Sequence, residues 1–486
     1  MKRFVQFVLL AFLALAGVVV VRALMLKPDG GSVPDPVTVE VPEGAVDRFA
    51  GALRFPTISP ADPADFDPEP FLALFSYLEE TFPGVHQSLQ VERVGDHSVL
   101  YTWVGTEPGL APVLLLAHLD VVPIEPGTEG SWTHPPFSGA LADGAVWGRG
   151  AMDDKSSLMA ILEGAEALVA RGFQPRRTHL LAFGHDEEIG GGAGAVRLAA
   201  LLAERGIRAA YALDEGMAIV EGTLPGVTGP AALLGLAEKG YVSVELVVEV
   251  EGGHSSTPPQ ETAVGILARA VARLEDHPMP ARLQGPSRML LEALAPRMPF
   301  GMRLVMGNLW LFQGTVARLM ASTPETNAAI RTTTAPTILR AGVKDNILPN
   351  QAQAVVNFRI LPGDSAAGVL EHVVRTVDDP RVNVSQFGWE ATEPSPVSRA
   401  GSWGYEEIRM TVQEVFPGTV VAPFLALAAT DSRHYVQVAE DVYRFAPFRY
   451  RAELAGGVHG TDERIPVEDY LDMVRFYTRL MERSGG

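Results

Sequence analysis

The stretch VLLLAHLD, residues 113–120, decides the fold of this chain. Its first five residues are apolar without interruption, which is typical of a β-strand covered on both faces in a parallel sheet. Leu158 to Val169 then repeats apolar residues at the period of a helix, and a second apolar strand follows at His179 to Gly184. A helix at Val196 to Leu202 and a strand at Ala209 to Leu213 continue the alternation. This order predicts an α/β fold with a mostly parallel central sheet.

The pattern changes after Gly240 and predicts a second unit. Residues 242–250 read as a strand, residues 262–274 as a helix, and further strands and a helix follow up to residue 387. We therefore expect a catalytic domain in two parts, 45–239 and 393–486, around an inserted α+β unit at 240–392. Within that unit, residues 284–327 (the apolar insertion) are rich in large apolar side chains. Six of the 14 methionines lie between Met279 and Met320.

Composition excludes several classes of protein. The chain has 486 residues, a formal net charge of −19 and no cysteine. Such negative charge argues against binding to nucleic acid, which depends on clustered Lys and Arg. The absence of cysteine excludes disulfides, thiol catalysis and metal sites built on thiolate. Any metal in this chain is therefore held by His, Asp and Glu.

The N-terminus contains one long apolar stretch. After Lys2 and Arg3, residues 4–21 include Gln6 as the only strongly polar residue, which is enough to cross a bilayer as a helix. We interpret residues 1–27 as a membrane anchor and 28–44 as a tether, with the body outside the cytoplasm. A cleaved signal peptide is the alternative, because residues 14–16 read Ala-Leu-Ala, and it would make the protein secreted or periplasmic. A buried soluble helix is the third interpretation.

Five motifs place His and carboxylate side chains at strand ends or in loops. Open α/β sheets bind their ligands at the carboxyl ends of the strands, so the motifs are expected to meet there. They are LLLAHLD (His118, Asp120), GRGAMDDK (Asp153, Asp154), FGHDEEIGGG (Glu187, Glu188), ALDEG (Asp214) and GGVHGTDER (His459). Each motif alone is more often a solvated loop, but five in one chain form a stronger signal.

The number of these side chains fits a site for two metal ions. Such a site needs about four terminal ligands and one bridging carboxylate. The terminal ligands would be His118, Glu188, Asp214 and His459, and the bridge would be Asp153. Glu187 is then left free to act as a general base, provided that the glycines at 190–192 let the chain turn its side chain toward the site. Asp120, two residues after His118, is placed to orient that imidazole.

Together these motifs resemble the co-catalytic zinc exopeptidases, a family that includes aminoacylase-1, carboxypeptidase G and carboxypeptidase S. The resemblance covers residues 45–480 and implies two Zn²⁺ ions, for which Co²⁺ or Mn²⁺ would substitute. It implies the same ligands and bridge, with Glu187 as the base and a cis peptide bond between Asp153 and Asp154. It also implies that the inserted unit is a lid that mediates formation of a homodimer. In the motif GGHSSTPP, His254 matches the family histidine that stabilises the oxyanion, often in the partner's site.

Three further residues are candidates for binding the carboxylate of a substrate. KDNILP offers Asn346, NFRILPGD offers Arg359, and ATDSRHY offers Arg433. A planar guanidinium binds a carboxylate through two hydrogen bonds, which favours the arginines, although each is about as commonly structural. NLWLF and the stretch 341–364 resemble the carboxypeptidase S branch, which includes N-fatty-acyl-amino-acid synthase/hydrolases. The apolar insertion would then hold an acyl chain, unless it packs the core of an enlarged lid.

The sequence thus predicts a metallohydrolase that cleaves an amide next to a free carboxylate. The expected substrate is an N-acyl amino acid, with N-fatty-acyl amino acids as a candidate class and the reverse condensation at high reactant concentrations. A carboxypeptidase or dipeptidase acting on short peptides is the alternative. An inactive scaffold would have lost Glu187 or a ligand. A phosphoesterase would need cations beside the metals, where Arg149 and Lys155 are the only candidates.

Overall fold

The computed structural model describes residues 1–26, 33–388, 390–454 and 456–486. Its helices, in chain order, are α1 (Lys2–Met25), α2 (Ala45–Ala52), α3 (Glu69–Thr81), α4 (Pro83–Ser88), α5 (Lys155–Ala170), α6 (Ala195–Glu204), α7 (Ala263–Asp276), α8 (Gly285–Leu294), α9 (Phe300–Met306), α10 (Leu309–Met320), α11 (Pro324–Ala328), α12 (Ala366–Val377), α13 (Trp403–Val415) and α14 (Val467–Gly485).

The strands form one large sheet and three smaller ones. In chain order they are β1 (Gln90–Val94), β2 (Ser98–Trp103), β3 (Val113–His118), β4 (Ala140–Ala142), β5 (Ala145–Trp147), β6 (His179–Gly184), β7 (Tyr211–Asp214), β8 (Ile219–Val220), β9 (Ala231–Glu238), β10 (Gly240–Glu249), β11 (Gly253–His254), β12 (Thr333–Ala341), β13 (Ile347–Leu348), β14 (Gln351–Ile360), β15 (Val382–Gln386), β16 (Val420–Ala426), β17 (Val442–Arg444), β18 (Arg449–Tyr450) and β19 (Arg464–Pro466).

The central sheet has ten strands, and the expected α/β class is confirmed. Its order is β1-β2-β6-β3-β7-β17-β9-β8-β18, with β16 paired to β9. The middle strands β6, β3, β7 and β17 run parallel to one another, whereas β1, β2 and the pairs around β9 include antiparallel neighbours. The sheet is therefore mixed, and its parallel part contains the strands that carry the motifs.

The central strands are covered on both faces, as their apolar runs predict. Every residue of β3 and of β6 is buried. Helix α5 is more buried than an amphipathic surface helix, because α14 packs against it in the same apolar core. The C-terminal helix α14 thus completes a core that begins with α2 and α3 at the other end of the chain.

A second sheet lies between β9 and β16 in the sequence. It has four antiparallel strands in the order β12-β14-β10-β15, and α7 and α12 pack on it around a separate apolar core. Thr262 and Ser365 cap these two helices by accepting hydrogen bonds from backbone N–H groups three residues later. This sheet with α7 and α12 is called the inserted sheet below.

The apolar insertion folds as helices α8 to α11. Helix α8 packs its residues Leu290 and Leu294 against β9 and β16 of the central sheet, so this helix is not part of the core of the inserted sheet. Helix α9 and Asn308, which follows it, contact the C-terminal half of α1. The insertion therefore connects the catalytic body to the N-terminal helix.

Candidate active site

Parallel strands bring three of the five motifs to one edge of the central sheet. His118 is the last residue of β3, and Asp214 is the last residue of β7. Glu187 begins a 3-10 turn (Glu187–Ile189) shortly after β6. Because β6, β3 and β7 are neighbours, their carboxyl ends meet at this edge. The other two motifs lie in the turn before α5 and in the loop before β19.

Asp153 lies between two histidines that come from distant parts of the chain. Its Oδ1 is 2.9 Å from Nε2 of His118, and its Oδ2 is 3.1 Å from Nε2 of His459. The same nitrogen of His459 is 3.1 Å from Oε2 of Glu188. Each oxygen of one carboxylate thus faces a different imidazole, which is the arrangement a carboxylate needs to bridge two cations.

The tautomer of His118 indicates that a cation belongs between its Nε2 and the carboxylate of Asp153. Its Nδ1 lies 3.0 Å from the backbone carbonyl oxygen of Asp120, which only accepts, so Nδ1 carries a proton. In a neutral ring, the lone pair of Nε2 then faces the carboxylate of Asp153, and the two repel each other unless a cation lies between them. Without a metal that cation is a proton: although burial lowers the pKa of His118, hydrogen bonds to Asp120 and Asp153 raise it well above the usual value.

Several carboxylate oxygens at the site, two of them on expected metal ligands, are buried without a hydrogen-bond partner. Oδ2 of Asp214 and Oε1 of Glu188 accept no hydrogen bond from any residue that the structure describes. Burial raises the pKa of Asp214 to about 6. Buried carboxylate oxygens are normally paired, and the missing partners fit cations bound between His and carboxylate. The donor set therefore fits a divalent metal centre.

Asp120 connects the two strand ends that carry this centre. Its carboxylate accepts hydrogen bonds from the backbone N–H groups of Glu187 (3.2 Å) and Glu188 (3.1 Å). Its Oδ1 also lies 3.3 Å from Nδ1 of His118. The residue is fully buried, so it orients the imidazole and the following turn at the same time.

Glu187 differs from Glu188 in its surroundings. Among the described residues, the groups of side chains close enough to share a metal include Glu188 but not Glu187. The 3-10 turn ends at Gly190, whose φ of 105° favours glycine, as the glycine run predicts. Burial, followed by the nearby carboxylates, raises the pKa of Glu187 well above its usual value, although His118 opposes this.

Two residues of the site were not singled out from the sequence. Oε1 of Glu215 lies 3.6 Å from Nε2 of His118, and Glu215 forms a second potential ligand group with His118 and Asp154. The motif ALDEG contains this residue, but strand alternation favours only one of two adjacent carboxylates. Strand β7 ends at Asp214, so the backbone is free to turn Glu215 toward the site.

Glu463 is the second residue that sequence reasoning missed. It is fully buried and accepts hydrogen bonds from the N–H groups of Gly150, Met152 and Asp153. It also pairs with Arg149 at 2.8 Å, and Arg149 donates to the carbonyl oxygen of His459. The pair therefore holds the Asp153 turn against the His459 loop. A carboxylate four residues after a ligand histidine was the available signal.

The candidate substrate residues lie in two places. Arg433 is in a 3-10 turn (Asp431–Tyr435) and donates to the carbonyl oxygen of Gly190 at 2.9 Å, beside the Glu187 turn. His254 and Asn346 lie together where β11 pairs with β13, and Arg359 stacks over Tyr241 in the inserted sheet. In the described part of this single chain, no hydrogen bond or ion pair joins His254, Asn346 or Arg359 to Asp153.

His254 is exposed, and its hydrogen bonds define which ring nitrogen carries the proton. Its Nδ1 accepts from the N–H of Ser256 at 3.1 Å, so a neutral ring carries its proton on Nε2. That N–H is available to donate to a group outside the chain's own fold.

The expected cis peptide bond between Asp153 and Asp154 is present.

Comparison with known proteins identifies the family. A model of Peptidase family M20/M25/M40 matches residues 114–483. The chain belongs to this family. It is therefore a hydrolytic enzyme of a metal-dependent family, in agreement with the donor set at the sheet edge.

The relatives of this M20-family chain fall into two groups by name. It is 43% identical over 447 residues to N-fatty-acyl-amino acid synthase/hydrolase PM20D1.1 of Danio rerio, covering 91% of this chain and 86% of the relative. It is 40% identical over 442 residues to probable carboxypeptidase S-like 2 of Dictyostelium discoideum, covering 90% and 84%.

Solved structures share the fold. A metallo-carboxypeptidase of the M20 family from Sulfolobus solfataricus matches with a TM-score of 0.65 at 19% identity, covering 91% of this chain and 99% of that chain. A dinuclear metal binding peptidase of the family from Bacillus subtilis matches with a TM-score of 0.56 at 14% identity, covering 91% and 99%.

Proposed function

We propose that this enzyme is a two-zinc amidohydrolase that cleaves N-acyl amino acids, with N-fatty-acyl amino acids as the preferred class. The observation that carries the proposal is Asp153, whose two oxygens face His118 and His459. The substrate class is supported by relatives at 40–43% identity that are named N-fatty-acyl-amino acid synthase/hydrolases. Reverse condensation of a fatty acid with an amino acid belongs to the same proposal.

The ligands follow from the two sides of Asp153. One zinc ion would be held by His118 and Asp214, the other by His459 and Glu188, and Asp153 would bridge them. Glu215, near Nε2 of His118, is the competitor of Asp214 for the first ion. Co²⁺ or Mn²⁺ would substitute, because His and carboxylate bind these ions as well.

Bound zinc supplies a Lewis acid that polarises the amide carbonyl and lowers the pKa of water. Glu187 does the proton transfer: its carboxylate takes a proton from the attacking water and delivers it to the leaving amine nitrogen. The burial that raises the pKa of Glu187 brings its proton affinity closer to that needed for this exchange. Asp120 contacts both the Glu187 turn and the His118 ring, and so keeps their relative positions fixed during the reaction.

The free carboxylate of the substrate is proposed to bind arginine. Arg433 is adjacent to the Glu187 turn, which supports it as the first contact. Arg359 and Asn346 would contact the substrate when the inserted sheet closes as a lid. His254 has an exposed Nε2–H donor, so we assign it to the oxyanion in the site of a second copy of the chain. That assignment requires a homodimer, which would form through residues 240–392. In the sequence, this unit is inserted between the two parts of the catalytic domain, 45–239 and 393–486.

The N-terminal helix is proposed to anchor the enzyme. Helix α1 is 24 residues long with a mean hydropathy of 2.8 in its most apolar window, which suffices to cross a membrane. Lys2 and Arg3 lie at its N-terminal end, which favours a catalytic body outside the cytoplasm. Cleavage after Ala16 would instead release a secreted or periplasmic enzyme, and N-terminal sequencing of the mature chain distinguishes the two.

A carboxypeptidase or dipeptidase acting on short peptides is the second candidate, favoured by the carboxypeptidase S-like relatives. Release of free amino acid from N-oleoyl, N-acetyl and dipeptide substrates separates the candidates. We expect the highest kcat/KM with the N-oleoyl amino acid. After chelation of the metal, we expect no release of amino acid from any substrate. A preference for dipeptides would favour the second candidate, and equal rates with chelator would contradict both.

A further inference from the structure

Helix α9 and the turn that follows it pack against the helix that would anchor the enzyme, and α10 packs on α9. Asn308, between them, is fully buried and donates from Nδ2 to the carbonyl oxygen of Val19 at 3.0 Å. Ala23 is fully buried in the same contact region. A Cβ on Gly307 would lie 2.8 Å from Cδ1 of Leu26, so the close approach depends on glycine.

The contact uses one face and one half of α1. Ala16, Val19, Ala23 and Leu26 are the residues that lose exposure, and their spacing of three or four places them on one face of the helix. All residues from Met1 to Leu15 are exposed. The helix therefore consists of a free first half and a second half that packs on the apolar insertion.

The free half is too short to cross a membrane alone. At 1.5 Å per residue, Lys2–Leu15 is roughly 21 Å long, whereas the hydrocarbon core of a bilayer is about 30 Å thick. If α1 spans the bilayer, part of its second half must also lie in hydrocarbon. Helix α9, which packs on that half, is then brought to the membrane surface with it, together with α10, which packs on α9.

The exposed side chains of α9 and α10 suit that surface. Phe300, Trp310 and Leu311 are each 43–50% exposed, and Leu319 is 68% exposed. Tryptophan is enriched at the boundary between membrane and water. Residues 284–327 contain four arginines and two glutamates, a net positive segment in a chain of net charge −19. Apolar side chains mixed with arginine are typical of helices that lie in a membrane interface.

We infer that α9 and α10 are a second, interfacial membrane contact, embedded in the leaflet that holds the C-terminal end of α1. The occupant of their exposed apolar face is lipid. This inference rests on the proposed anchor but not on the proposed hydrolysis. It means that the body is held against the bilayer by its own fold, and not only tethered through residues 28–44.

The lack of cysteine allows a direct test with the full chain. Single substitutions Phe300→Cys and Leu311→Cys, each labelled with an environment-sensitive fluorophore, are reconstituted in phosphatidylcholine vesicles that contain phosphatidylglycerol. Leu10→Cys on the free half of α1 reports the anchor itself. Leu72→Cys on α3 is the matched control, because Leu72 is 42% exposed on the catalytic body.

Labels at 10, 300 and 311 are expected to be blue-shifted, quenched by a nitroxide lipid and protected from iodide, while the label at 72 is quenched by iodide. A lipid-embedded label at 10 with water-exposed labels at 300 and 311 would overturn the inference and leave the anchor intact. Labels at 300 and 311 shielded from both quenchers would show that a second copy covers this face, which also overturns it. Iodide quenching at all four positions would remove anchor and inference together. Release of free amino acid from an N-acyl amino acid, measured in the same vesicles, reports the proposed hydrolysis separately.

Discussion

Nε2 of His118 lies 2.9 Å from Oδ1 of Asp153, and this pair defines one half of the candidate metal centre. The other oxygen of Asp153 faces His459, which comes from the C-terminal part of the chain. Parallel strands explain the position of His118, and the Arg149–Glu463 pair explains how the His459 loop is held beside it. The centre therefore joins the beginning and the end of the catalytic fold.

The first prediction concerns the base. Glu187→Gln should keep both metals and lower kcat by about 10²–10⁴-fold, because the side chain loses its proton affinity but is not needed to bind metal. Metal content per chain and kcat for an N-acyl amino acid are the measurements. Glu188→Gln is the matched control, and it should lose metal. Unchanged turnover in the Glu187→Gln protein would remove the base assignment.

The second prediction concerns the buried residue that positions the Asp153 turn. Glu463→Gln should weaken metal binding by about 10–100-fold, because a neutral amide cannot accept from Arg149 and three N–H groups as the carboxylate does. Activity should return as zinc is added in excess, which a direct catalytic role would not allow. Asp472→Asn, a carboxylate substitution on α14, is the control. Metal affinity equal to that of the wild type would contradict the positioning role.

The third prediction is that chelation lowers thermal stability as well as activity. Ions that bind only the folded state stabilise it, by about 4 kcal/mol at a free concentration 1,000 times Kd. Their removal also leaves Oδ2 of Asp214 and Oε1 of Glu188 buried without a counter-ion. The melting temperature should fall with EDTA and recover with zinc. An Asp153→Ala protein should not respond, and a response equal to the wild type would argue against metal at Asp153.

The fourth prediction concerns the junction between the two sheets. Arg444 is fully buried and donates to Glu238 at 2.6 Å, at the end of β9 next to the start of β10. Arg444→Met leaves the Glu238 charge unpaired and should cost about 3–5 kcal/mol of unfolding free energy.

The double variant Glu238→Gln with Arg444→Met should recover most of that loss, since no buried charge remains. Urea unfolding of the two single variants and the double variant measures the coupling. Strictly additive losses would show that the pair does not act as a unit.

The sequence predicted the parts of this site that depend on local pattern. His118, Asp153, Glu188 and His459 were expected at strand ends or loops, and the structure brings them together. Neighbouring parallel strands that end at one edge account for His118 and Glu188. The α/β class and the helix that begins after Thr262 are of the same kind. Each follows from the periodicity of apolar residues.

The rest depends on contacts between distant residues. No periodicity shows that α14 packs against α5, or that Glu463 reaches the turn of Asp153. The choice between Asp214 and Glu215 depends on where β7 ends, which adjacent carboxylates in a sequence do not reveal. The contact of α9 and Asn308 with α1 is likewise a tertiary arrangement without a local signal.

The most direct test of the two-metal centre is a zinc titration of the metal-free enzyme, followed by calorimetry and by release of amino acid from an N-acyl amino acid. We expect turnover to be fully restored at two zinc ions per chain, and the Asp153→Ala protein to bind fewer ions and stay inactive. Full turnover at one ion per chain, or full turnover in the Asp153→Ala protein, would contradict a two-metal centre bridged by Asp153.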